Sequence, residues 1–167
     1  MRRMSADEIA LMDRYVPPDA LARWKYRFEQ ARAQGMIWRH YQRTRPVETG
    51  LFTDRYGYPS NNIRQEHHDT ASYRSKIFLD HLAAIDRKAS SLEHQYVKNR
   101  IGQAFSGEDS LASFILEMKL FNVIDRSVAR TVRFGEPYGA PFDVHVETQS
   151  RAVSCLTESL VISATAT

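Results

Sequence analysis

Leu111-Ala112-Ser113-Phe114-Ile115-Leu116-Glu117-Met118-Lys119-Leu120-Phe121-Asn122-Val123-Ile124 is the stretch that decides the fold class, with Val128 extending its apolar pattern towards Arg130. On a helix, which turns about 100° per residue, its apolar side chains do not form one stripe. Leu111, Phe114, Ile115, Met118 and Phe121 cover one side, and Leu116, Leu120, Val123 and Ile124 cover the other. A helix that is apolar nearly all round belongs in a core or between partners. The reading that follows is a mainly α fold organised around this segment.

The segments before it read as helices with one apolar face each. Ala71, Ser75, Phe78, Leu82, Ile85 and Ala89 share a stripe, and so do Val97, Ile101, Ala104 and Phe105, with His94 on the same face. Short links join the three, so neighbours should pack antiparallel. Earlier still, Ser5 and Glu8 have the spacing of a capping box, and Pro17-Pro18 stops the short helix that they begin. Asp19 opens a helix with Leu21, Trp24, Phe28 and Ala31 on one face and Arg23, Lys25, Arg27 and Arg32 off it, ended by Gly35. Two one-sided helices on one flank of the organising helix, and the 19–34 helix on the other, would close a bundle with no apolar surface left over. If Leu116, Leu120, Val123 and Ile124 are instead exposed, that second face is a binding site in its own right.

Between residues 36 and 69 the periodicity fades. Trp38, Arg39, Tyr41, Arg43, Arg45, Arg55, Tyr56, Tyr58 and Arg64 interleave cations with rings, and Pro46, Thr49-Gly50, Tyr56-Gly57-Tyr58-Pro59 and Asn61-Asn62 are turn chemistry. This reads as a long basic-aromatic connector, and an aperiodic loop of that length is unusual inside a compact domain unless it is functional. Beyond Arg130 the composition changes again. Thr131–Phe134 is strand-like, residues 135–141 are turn-rich, and Phe142–Glu147 alternates polar with apolar, as a half-buried strand does. The expected architecture is a helical bundle of four to five helices with a basic-aromatic connector (36–69) and a short C-terminal β-like tail. It divides into a helical domain at 1–131 and an arm at 132–167.

At 167 residues the chain can hold a core without staples. Its one cysteine, Cys155, excludes an internal disulfide, which favours a reducing, intracellular setting. No apolar run approaches the roughly 20 residues of a membrane span, and the opening Met1–Glu8 turns acidic at once, unlike a signal peptide. The net charge of +3 is unevenly placed: +2 over residues 1–35, +3 over 36–76, zero over 77–131 and −2 over 132–167. That basic excess is too small to compel bulk nucleic-acid binding.

Candidate chemistry is sparse. Asp143, His145 and Glu147 would share one strand face as a metal-binding set, but alternate Cα atoms lie about 6.5–7 Å apart along a strand. The plain alternative is a solvated strand face. Glu66-His67-His68-Asp69 is the densest titratable cluster. Its doublet resembles that of the metal-dependent phosphohydrolases named for it, with His40 and Asp125 as the separate ligands. The polar approach Asn61–Glu66 departs from the apolar helical run that precedes that doublet, so the plainer reading is a helix start, with Asp69 or Thr70 capping Ala71 onward. No phosphate loop or nucleophile elbow is present.

No catalytic residue, metal or cofactor is assigned, and the enzyme question leans to no. Tyr, Trp and Arg in the connector are the residue types enriched at protein–protein hot spots, and Glu48, Asp54, Glu66 and Asp69 dilute its positive field. The expectation is therefore a non-catalytic protein–protein interaction or structural subunit, with a protein partner or a second copy bound through the connector set. Nucleic-acid binding through Arg39, Arg43, Arg45 and Arg64 is the first alternative, and a metal-dependent hydrolase the second.

Overall fold

Ser5 starts the first helix in the way its spacing demands. In the computed structural model its hydroxyl accepts from the Glu8 amide at 3.2 Å, and Glu8 Oε2 accepts from the Ser5 amide at 2.9 Å. That reciprocal pair satisfies two of the donors a helix leaves unpaired at its start. The structure describes residues 2–33, 45–57, 65–106, 111–124, 131–139, 144–147, 152–155 and 162–165. Over these residues it is mainly helical, with a small antiparallel sheet. Six helices are described: α1 (Ala6–Tyr15), α2 (Pro18–Ala33), α3 (Pro46–Tyr56), α4 (Gln65–Asp86), α5 (Ser91–Ser106) and α6 (Leu111–Ile124). That is more than the four to five expected.

The additional helix is α3, and it corrects the reading of residues 46–56 as aperiodic connector. Pro46 sits in its first turn and Gly57 ends it in the left-handed conformation at φ 64°, both standard boundary devices. Every residue from Pro46 to Asp54 is buried, including Glu48, Thr49, Thr53 and Asp54. A one-sided apolar stripe is therefore absent, and its absence concealed the helix. The start of α4 is corrected as well: it begins at Gln65, so Asp69 and Thr70 lie inside the helix rather than capping it at Ala71.

The chain forms two compact units, residues 1–80 with 98–112 and residues 81–97 with 113–167. In unit 1, Met12, Tyr15, Trp24, Leu51, Phe52, Phe78, Leu79, Ile101 and Phe105 are buried. The Trp24 ring stacks on Phe52 at 6.4 Å and meets Phe105 edge-on at 6.3 Å. Gly50 is required where α3 crosses α4, because a Cβ there would lie 2.2 Å from the Ala71 carbonyl oxygen. Glu48 reaches the start of α6, where its carboxylate accepts from the Leu111 amide at 3.2 Å. A negative charge at a helix N-terminus complements the helix dipole.

Unit 2 is built on aromatic packing. Phe134 is fully buried; it stacks on Phe121 at 4.6 Å and lies 5.4 Å from Tyr96. Its amide donates to Glu93 Oε1 at 3.1 Å, while Glu93 Oε2 accepts from the Ser90 amide at 2.8 Å at the start of α5. One carboxylate thus caps a helix and anchors a strand. The strands run in the order β1 (Thr131–Phe134), β2 (Val144–Glu147), β3 (Ala152–Cys155) and β4 (Ile162–Thr165), each antiparallel to the next. A short 3-10 turn, Glu136–Tyr138, lies between β1 and β2, followed by Gly139 at φ 70°. Val144 and Val146 are buried and His145 is half-buried, the alternation that a half-buried strand requires.

Candidate interaction surface

The inner side of α6 is fixed by burial. Leu111, Phe114, Met118 and Phe121 are each 3% exposed or less. Two polar side chains join them, each tied by a hydrogen bond that offsets part of the cost of burial, although Asn122 Oδ1 is buried with no hydrogen-bond partner among the described residues. Glu117 accepts from the Tyr96 hydroxyl at 2.8 Å, and Asn122 Nδ2 donates to the His81 carbonyl at 3.1 Å.

Within unit 2, no described residue covers the outer side. Leu116 is 54% exposed and Val123 56%, with Leu120 half-buried between them. This corrects the expectation of a closed bundle with no apolar surface left over; Ile124, the fourth member of that face, has no described side chain. Positions 116, 120 and 123 fall within an arc of about 60° at helical spacing, so they form one strip along the helix. Lys119 is exposed beside it. Single exposed apolar residues are ordinary, but an aligned strip on a helix is the form that helix recognition uses.

Of the connector set, Trp38, Arg39, Tyr41, Arg43, Tyr58 and Arg64 lie outside the described residues. The other three are engaged within unit 1. Arg45 donates to the Ala104 carbonyl at 2.8 Å and lies 3.6 Å from the Glu48 carboxylate. Arg55 pairs with Asp13 at 2.6 Å. Burial opposes the Arg55 charge, but the hydrogen bond and charge of Asp13, with a smaller contribution from Tyr56, outweigh it and raise the guanidinium pKa. The Tyr56 ring, 37% exposed, packs on Phe52 at 4.8 Å, with Lys25 Nζ 5.4 Å and the Arg55 guanidinium carbon 5.6 Å from its centroid. Cation–π contacts of this kind hold a connector residue to its own fold.

The residues of the metal readings lie largely outside the described set. The side chains of Glu66, His67, His68 and Asp69 are outside the described set, as are His40, Asp125 and Asp143 and the Glu147 side chain. His145 faces Arg133 and Ser154 in the strand register. Among the described residues no three His, Cys, Asp or Glu side chains group as metal ligands. No described helix is long and apolar enough to cross a membrane. No family model, curated protein or solved structure matches the chain.

The polar network around Asp54 escaped the sequence reading. The Asp54 side chain is completely buried. It accepts from Ser72 Oγ and Ser75 Oγ, each at 2.6 Å, and from Arg2 Nη1 at 3.0 Å. A buried carboxylate is tolerated only with such donors. Local spacing gives no hint of the network, because Arg2 comes from a segment 52 residues away.

Proposed function

We propose that this chain is a non-catalytic protein–protein interaction or structural subunit of a larger assembly, engaging a neighbour through the outer face of α6. The observation that carries this reading is the exposure of Leu116 and Val123 on a helix whose opposite side carries the buried Leu111, Phe114, Met118 and Phe121. Covering the exposed half of each side chain would gain about 1 kcal/mol per residue. A specific interface covers about 800 Å² on each partner, so this strip acts as the anchor of a larger contact. Trp38, Arg39, Tyr41, Arg43, Tyr58 and Arg64 supply residue types suited to the rest of it.

The test is a comparison of the purified protein with Leu116→Asp and Val123→Asp by light scattering, and by recovery of partners from the native source. Both variants are expected to keep the wild-type circular dichroism and unfolding midpoint while losing self-association or the recovered partner. A wild-type protein that is monomeric and recovers no partner overturns the proposal. So does a variant that retains every partner.

A further inference from the structure

We propose that Arg2 is an internal ligand of a guanidinium-binding site built by Glu8, Asp54 and Ser75, making residues 2–4 a latch that closes over α3 and α4. This inference is independent of the α6 surface. The fork of Arg2 is shared between two carboxylates from different helices: Nη1 lies 3.0 Å from Asp54 Oδ2, and Nη2 is hydrogen-bonded to Glu8 Oε1. Ser75 Oγ stands 3.4 Å from the same Nη1 while itself donating to Asp54. A planar fork with donors on two nitrogens matches this arrangement, and an ammonium, a single point of charge, does not.

Contacts other than those to Arg2 hold the receptor groups in place. Glu8 is held by the capping box, which uses Oε2 for the Ser5 amide and leaves Oε1 facing Arg2. Asp54 is held by two serine hydroxyls from α4. The strand of chain between them is closed down by the Met4 amide, which donates to the Asp54 carbonyl at 3.1 Å, and by the Met4 side chain, 8% exposed. Arg3, by contrast, is exposed. Such a latch can open locally without loss of the helical core, since among the described residues opening breaks contacts of Arg2 and Met4 rather than of the core helices. Opening leaves a buried carboxylate short of one charged donor, a strongly unfavourable state. The vacated site is then chemically matched to a guanidinium from another source.

Chemical rescue of the full chain tests this. Arg2→Gly is expected to raise the unfolding equilibrium constant by about tenfold to a hundredfold, with the pair's partial exposure keeping it below a fully buried one. Methylguanidinium chloride at about 20 mM should recover part of that loss, growing with the logarithm of its concentration as ligand linkage requires. Methylammonium chloride at the same concentration should not, and wild type, whose site is filled, should respond to neither. Glu8→Gln in the Arg2→Gly background should weaken the rescue. If Arg2→Gly does not fold, Arg2→Lys serves in its place: it must be measurably less stable than wild type and respond to methylguanidinium over methylammonium. An Arg2→Gly protein as stable as wild type overturns the proposal, as does a folded variant that methylguanidinium stabilises no more than methylammonium.

Discussion

Two glycine-to-alanine substitutions, in helices of the same unit, should move stability in opposite directions. At Gly50, in α3, an added Cβ would lie 2.2 Å from the Ala71 carbonyl oxygen, 2.7 Å from its carbon and 3.0 Å from Ser75 Cβ. The first two are backbone atoms of α4, so no side chain can rotate away and one helix must shift. Overpacking of this kind costs about 1–3 kcal/mol or more. It outweighs the gain of about 1 kcal/mol from alanine's better helix propensity. The shift would also disturb Ser75, which donates to Asp54, so a net loss of about 2 kcal/mol is expected. At Gly102, in α5, the nearest atom to an added Cβ is Pro17 Cγ at 3.8 Å, an ordinary contact. There the propensity gain stands alone, and Gly102→Ala should stabilise by about 0.5–1 kcal/mol. Urea unfolding followed by circular dichroism measures both. For a chain of this size each kcal/mol moves the thermal midpoint by about 2–4 °C. A Gly50→Ala protein as stable as wild type would refute the packing account of the α3–α4 crossing, and a Gly102→Ala protein less stable than wild type would refute the account of free space at Gly102.

Further predictions concern single side chains. Phe134→Ala should cost about 3–5 kcal/mol in urea unfolding, because it removes a fully buried ring and opens a cavity. Tyr96→Phe takes the hydroxyl from Glu117 and leaves a buried carboxylate with one donor fewer, a loss of about 1.5–3 kcal/mol; Phe at 96 with Gln at 117 should recover part of it. Ser5→Ala deletes the cap of α1 and should cost about 1 kcal/mol, visible as faster hydrogen exchange in the first turn of α1.

The mainly α class, the capping box at Ser5 and Glu8, the stripes of α4 and α5 and the alternation of β2 were all legible in the chain. Each rests on a local rule: a side chain three or four residues away on a helix, or two away on a strand, faces the same way whatever surrounds it. Helix α3 was not legible by that rule. Glu48, Thr49, Thr53 and Asp54 are buried, and the acids among them find donors at Leu111, Ser72, Ser75 and Arg2, none of which sits in its own helix. Only its punctuation, Pro46 at the start and Gly57 at the end, marked it.

The outer face of α6 shows the same division. Periodicity alone established that Leu116, Leu120 and Val123 lie together, opposite Phe114, Met118 and Phe121. Whether another element covers them depends on how many apolar faces the fold brings to that helix, and spacing along one chain does not carry that count. The tertiary structure decided it, burying Phe114, Met118 and Phe121 and leaving Leu116 and Val123 in water.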